Sequence, residues 1–332
     1  MRAAEALAAA GLAATMAMAP AAADARELSL ASYISANSSF VTELLEPLAA
    51  WINERANGEF TVQVYAGGTL GRDPDQQDRI VQTGIADMAV IVPGRNPGAY
   101  PHWGIFELPG TARTAEEGTF AAWQMHLEGT LETGSNLQVV TVWTTDPYIV
   151  HTRDPINSLE ALRNLRVRVL GQTQTQTMLA LGAVPQAVSI TETPEAISRG
   201  TLDGSLADWA VFDIFRIPEV TNHSYTLPLG VLAMAVVMNQ DSFASLSPEG
   251  QAVIVAAGEE WQRMHADYYA RERGRIIDLY TSRGHTITEP TDAQMEAMLA
   301  AVAGVHATVG AQAGETAVAA YTRWLRQHRD GN

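Results

Sequence analysis

The sequence predicts an α/β chain built as two lobes, on three observations. Short β-branched runs with alternating side chains are separated by segments whose apolar residues recur at helical spacing. That alternation of strand and helix argues for βαβ units and mainly parallel sheets. And 332 residues, 47% of them hydrophobic, are enough to fill two separate cores. Composition excludes several kinds of chemistry. The net charge of −16, from 21 basic and 37 acidic residues, is the opposite of the basic stripe that nucleic-acid binding needs. Every basic residue is arginine, and there is neither lysine nor cysteine. Schiff-base chemistry, a phosphate-loop lysine and thiol catalysis are therefore absent together.

In chain order, residues 1–25 have the pattern of an export leader. Arg2 opens a run rich in Ala, Leu and Met, and Ala21-x-Ala23 and Ala23-x-Ala25 both fit a small-residue cleavage site. The run is alanine-dominated and short for an anchor, so the mature chain is expected in the periplasm. Residues 26–32 form the first strand, followed by a loop carrying Tyr33 and Asn37. Asn37 or Ser38 caps a helix with Phe40, Leu44, Leu45, Leu48, Trp51 and Ile52 on its core stripe. Phe60, Val62 and Val64 alternate as a strand that ends at Gly67-Gly68. A helix over 73–83 leads to a strand over 87–92, with Arg95 just beyond it. The acids of Arg72-Asp73-Pro74-Asp75-Gln76-Gln77-Asp78 do not form a calcium loop, which would need glycine sixth and glutamate twelfth. They suit a helix N-terminus instead. A helix over 114–132 is expected to turn Phe120, Trp123 and Leu127 inward, and 137–143 is a buried strand.

The second lobe is placed from about Asp146, with Tyr148 at the junction. Val167 and Val169 flank Arg168 on one strand, so Arg166 and Arg168 share the opposite face. Helix 173–181, strand 188–190, a helix start at Thr193-Pro194 and a strand over 205–208 follow. Trp209 then opens a helix or loop. Strands 225–227 and 231–239 carry the chain back. Ser247-Pro248-Glu249 starts a helix reaching Ser282, longer than globular helices usually are. A strand over 285–288 and helices over 291–302 and 314–326 complete the chain. The expected division is 26–145 with 236–275 in lobe I, and 146–235 with 276–332 in lobe II.

The catalytic inventory is nearly empty. The eight histidines are scattered without metal-ligand spacing, and no nucleophile elbow, dinucleotide fingerprint or phosphate loop occurs. Glu116-Glu117 and Glu259-Glu260 are expected to be solvated helix faces. What remains is Arg168, a guanidinium near a strand end just before Gly171 and a helix, where open α/β sheets place ligand-gripping groups. On residues alone, Arg166 and Arg168 could equally be solvated or paired with nearby acids.

Ordered blocks carry a family resemblance. L-x-x-L-R-V-R-V, the turn Leu181-Gly182-Ala183 with Pro185, a helix with Glu195 and Ala196, and Arg199-Gly-Thr-Leu-Asp-Gly204 resemble the DctP-like solute receptors of tripartite ATP-independent periplasmic (TRAP) transporters. Upstream, 62–73, 82–90, 96–101 and 106–109 resemble that family's blocks in the same order, and downstream so does 236–243. The resemblance implies a two-lobed periplasmic binding protein-like fold with an interlobe cleft and one long helix crossing both lobes. It implies a non-enzymatic receptor that closes on a small organic acid and delivers it to membrane TRAP permease subunits. It makes Arg168 the residue that holds the ligand carboxylate, a register shift making it Arg166 instead. Trp209 becomes an apolar wall and Asp208 either a hydroxyl acceptor or a helix cap. Tyr33, Asn37, Arg95 and Tyr148 are further ligand-binding candidates, placed by topology on loops facing the cleft. Pro147-Tyr148 stands where some relatives carry a second arginine, and Ala207 where the sialic-acid branch has asparagine. A monocarboxylate, hydroxy or oxo acid is therefore expected, with no cofactor, no metal and a monomeric receptor. The alternatives are an exported two-lobed enzyme acting on a small carboxylate, which would need an acid–base pair such as Asp208 with His223, or a receptor feeding a sensor kinase.

Overall fold

The computed structural model describes residues 25–132 and 134–331; the expected leader therefore lies outside the described residues apart from Ala25. The first half runs β1 (Arg26–Ala31), a π-turn over Val41–Leu45, α1 (Glu46–Arg55), β2 (Phe60–Tyr65), α2 (Gln77–Gln82), β3 (Met88–Ile91), α3 (Ala115–Leu127) and β4 (Leu137–Thr144). Next come β5 (Ile149–Thr152), β6 (Arg166–Val169), α4 (Gln172–Ala180), β7 (Val184–Ala187), α5 (Thr193–Ser198), β8 (Gly204–Ala207), α6 (Trp209–Ile214) and β9 (His223–Tyr225). The chain closes with β10 (Ala233–Asn239), α7 (Gln240–Ala244), α8 (Pro248–Ser282), β11 (Thr286–Thr288), α9 (Asp292–Ala301) and α10 (Ala303–Gly331).

Two sheets result, one ordered β2-β1-β3-β10-β4 and the other β11-β9-β5-β8-β6-β7. Each is mainly parallel: β10 runs antiparallel to β3 and β4, and β5 antiparallel to β8 and β9. Two strand-like segments join the sheets side by side. Thr145 N–H donates to Leu232 O at 3.0 Å, Tyr148 N–H to Gly230 O at 2.7 Å and Leu229 N–H to Tyr148 O at 2.9 Å. Gly230 is required there. Its φ is +91°, and a Cβ would lie 2.2 Å from the carbonyl oxygen of Glu107.

The 35-residue α8, about 50 Å long at 1.5 Å per residue, binds the halves together. Ser247 caps it by accepting from Gly250 N–H at 3.0 Å. Towards its middle Trp261 packs on Trp143 and Phe40 of the first half, with ring centroids 4.5 and 5.9 Å apart. Towards its end Ile276 joins Ile149, Ile190, Trp209, Phe212 and Ile217 in the core of the second. Arg275 and Tyr280 bind Asp213 of α6, at 2.9 and 2.5 Å.

Four expectations are corrected. The strand placed at 188–190 is β7 at Val184–Ala187, the edge strand beside β6, where Pro185 is tolerated because an edge need not donate on both sides. The buried face of α3 is Gly118, Ala121, Ala122 and Met125, while Leu127 is 61% exposed. Small residues won that face because α3 lies close on β4: a Cβ on Gly118 would sit 2.3 Å from Thr144 Oγ1. Glu117 is buried rather than solvated, held by Arg329 at 2.8 Å and by the Arg113 N–H at 3.0 Å. Residues 276–332 do not all pack with the second sheet. α10, kinked at Gly314, returns to the first half, where Tyr321 packs on Phe106 and Trp324 on Phe120. Among the described residues no single helix is long and apolar enough to cross a membrane. The bent pair α9 and α10 has the length and composition, and its Val305, Val309, Ala317 and Leu325 are buried inside the protein.

Candidate functional site

Parallel strands end on the same side of a sheet, so the loops after β1, β3 and β6 meet where the two sheets face each other. A cavity of about 280 Å³ lies there. Tyr33 enters it from the loop after β1, Arg95 from the turn after β3, Tyr148 from the crossover, and Arg168 from β6.

Arg168 lies in the sheet interior, with Gln186 of β7 on one side and Ser205 of β8 on the other. It is 1% exposed. Its Nε donates to Val188 O at 3.1 Å and its Nη1 to Leu206 O at 3.4 Å. Among the described residues no carboxylate pairs with it. Burial pulls its pKa down to about 10, with the nearby Arg95 adding to the effect and Tyr148 and Tyr33 opposing it. A buried cation held only by carbonyl dipoles is one whose desolvation is incompletely offset, and an anion in the cavity would complete it. Arg166, two residues away, is spoken for. It grips Asp203 through Nε at 3.0 Å and Nη2 at 2.7 Å, and its backbone N–H donates to the same carboxylate at 2.9 Å. The two arginines share one face of the strand, and their tertiary partners separate them: Asp203 holds Arg166, while Arg168 lines the cavity.

Arg95 forms a two-armed ion pair with Asp75, one arm 2.5 Å long, while its Nη1 donates to Leu170 O at 3.2 Å across the gap between the halves. Tyr33, Tyr148 and Tyr269 place phenols around the cavity. Burial pushes the Tyr33 hydroxyl up to about 12 and the other two well above the ordinary phenol range, so all three stay protonated donors.

Three predicted residues lie elsewhere. Trp209 does not wall the cavity. It packs edge-on against His151 and Phe212, with centroids 5.4 and 5.6 Å away, in the core of the second half. Asp208 is fully buried and acts as the N-cap of α6, accepting from Val211 N–H at 2.7 Å. Burial raises its pKa to about 8. Asn37 is exposed and lines a shallow cleft with Ser35, Ser38, Ser39, Asp213 and Arg275. For Trp209 the cause is helical phase. Ala210 and Ile214, and Val211 and Phe215, are one turn apart and look into the cavity, while Trp209 and Phe212 look away from it. Reading 209–215 as a helix would have found that face. Val188, Ser189 and Ile190 after β7, and Met234 at the start of β10, also line the cavity; no local sequence signal marks them.

The Asp208–His223 pair does not form. His223 binds Thr286 Oγ1 at 2.7 Å and Ile156 O at 2.6 Å. No group of three or more His, Asp or Glu among the described residues could hold a metal ion.

The family profile of bacterial extracellular solute-binding proteins, family 7 (DctP), matches residues 30–312. The chain belongs to that family. This solute-binding protein is 24% identical over 240 residues to the 2,3-diketo-L-gulonate-binding periplasmic protein of Escherichia coli K12, covering 68% of this chain and 70% of that one. It is 22% identical over 255 residues to the C4-dicarboxylate-binding periplasmic protein of Rhodobacter capsulatus, covering 74% and 76%. The solved structure of a TRAP solute-binding protein from Rhodoferax ferrireducens, in complex with copurified benzoate, superposes with a TM-score of 0.85 at 20% identity, over 92% of this chain and 98% of that one. One from Bordetella bronchiseptica with bound mandelate gives 0.81 at 22%, over 91% and 99%. The two-lobed α/β fold is shared.

Proposed function

We propose that this solute-binding protein is a periplasmic receptor that captures a small organic acid between its lobes and hands it to a TRAP-type membrane permease, acting as a monomer without catalysis. The observation that carries the reading is Arg168: a guanidinium buried at a cavity between the two sheets, hydrogen-bonded to carbonyls and to no acid. A carboxylate matches its planar donor pair. Tyr33 and Arg95 come from the first half and Arg168 from the second, so a bound acid touches both. It therefore favours the closed arrangement by its extra affinity for that state. Relatives that bind diketo-gulonate, C4-dicarboxylate, benzoate and mandelate support an organic acid. Family membership and the periplasmic location of named relatives support export, with residues 1–25 as the leader.

A thermal-shift screen of the mature chain against organic acids tests the reading, because a ligand that binds only the native state raises the melting temperature. At least one carboxylate should raise it in a saturable way, and calorimetry should give one site per chain. No shift with any acid, or turnover of the acid that binds, would overturn it.

A further inference from the structure

The charges around the cavity do not count equally. Arg95 and Arg168 both line it, as do Asp73 and Asp75. Asp75 occupies both arms of the Arg95 guanidinium, and Asp73 accepts from the backbone N–H of Asp75 at 2.9 Å, fixing that turn beside the arginine. Arg95 is thus already neutralised by a carboxylate in the geometry that a ligand carboxylate would use. Among the described residues Arg168 has only carbonyl partners. One cation is left for the ligand. Most of the remaining wall is apolar from both halves, with Phe40 and Met234 on one side and Val169, Ile190, Ile214 and Phe215 on the other, and Thr145 and Ser189 add hydroxyls to it.

Building on the receptor reading above, we propose that the site selects a monocarboxylate with a flat apolar body, an aromatic acid, and that Asp75 is the residue that rejects dicarboxylates. Asp75 stands in for a second ligand carboxylate. A diacid reaching Arg95 would have to displace it and leave two acids facing one guanidinium. A diacid that does not reach Arg95 would bury its second charge against hydrocarbon, at a large desolvation cost. A ring carrying one carboxylate meets neither penalty. Its edge and faces fill the wall, and the phenols of Tyr33 and Tyr148 remain available to a ring hydroxyl. The Arg95–Asp75 pair is partly open to solvent, at 21% and 41% side-chain exposure, so water screens part of the discrimination.

Calorimetry with benzoate, isophthalate and succinate on the wild type, Asp75→Asn and Asp75→Ala tests this. Asp267→Asn, exposed on α8, controls for the change in net charge. The wild type should bind benzoate at least tenfold more tightly than either diacid. Both Asp75 variants should shift the isophthalate-to-benzoate affinity ratio at least tenfold towards isophthalate, while Asp267→Asn leaves that ratio unchanged. Wild-type binding of isophthalate or succinate as tightly as benzoate overturns the inference and leaves the receptor reading standing. So does an unchanged ratio in Asp75 variants that melt as the wild type does. Binding of no carboxylate at all would overturn the receptor reading itself.

Discussion

Replacing Arg168 by methionine keeps the stem and removes the fork, so it isolates what the guanidinium does. A bidentate carboxylate contact comprises two charge-assisted hydrogen bonds, each contributing about 1.5–3 kcal/mol. The cavity leaves room for water to take over part of that role, so the expected net loss is roughly 3 kcal/mol. That corresponds to on the order of a hundredfold weaker binding. The unliganded protein should change little. The variant removes a buried charge that no acid offsets, and in return leaves Val188 O without its partner, while Leu206 O still accepts from Ser205 at 3.1 Å. These terms oppose one another, and the melting temperature should move by less than about 4 °C. Calorimetry with the best acid from the screen measures affinity, and a melting curve without ligand measures stability. Arg166→Met is the paired control. It loses the Asp203 contact, which lies outside the cavity lining, and should leave affinity within about twofold. Unchanged affinity in Arg168→Met, or equal losses in the two variants, would refute the assignment.

Other outcomes follow from buried groups. Glu107 is 2% exposed, its Oε2 has no hydrogen-bond partner among the described residues, and burial raises its pKa to about 8. The folded state then holds its proton between the ordinary carboxyl range near 4.5 and about 8, where the unfolded chain has lost it. Its contribution is therefore complete at low pH and is lost as pH rises through that window. Glu107→Gln should gain stability over the wild type progressively from pH 5 to 8 in urea titrations; a pH-independent difference would contradict this. The opposite sign holds for His151 and His285, bridged by the Ser224 hydroxyl at 2.7 Å on each side, and for the neighbouring His223. Burial depresses all three, His151 to about 3 and His285 to about 4. The unfolded chain takes up these protons below about 6.5 and the folded chain does not. Stability is then intact above that pH and falls away as pH drops towards 4. His285→Gln should flatten this acid limb in melting curves recorded from pH 7 to 4. Gly230→Ala forces a side chain onto a +91° φ and 2.2 Å from the Glu107 carbonyl. It should cost about 2 kcal/mol or more in urea unfolding, and wild-type stability would count against the packing described.

Where local pattern sets the outcome, sequence and structure agree closely. Alternation in Arg26–Ala31 and Phe60–Tyr65, the cap at Ser247 and the long apolar stripe of α8 each specify an element through neighbours a few residues away. The R-V-R-V run likewise places Arg168 on a strand. Long-range packing decided the places where the two differ. Glu117 looks solvated beside Glu116 until Arg329, 212 residues away, reaches it. Leu127 and Trp209 look like inner-face and cavity residues until the partner surface fixes which side of each helix is covered.

By itself, the sequence determined the α/β class, the order of its elements, the absence of lysine and thiol chemistry, and a strand carrying two arginines. Only the tertiary structure decided which arginine is held by Asp203 and which faces the cavity. It alone showed that Arg95 already has Asp75 as its counter-ion. Each of those is a meeting of groups distant along the chain, and side-chain charge is cancelled or left exposed by whatever folding brings within hydrogen-bond reach.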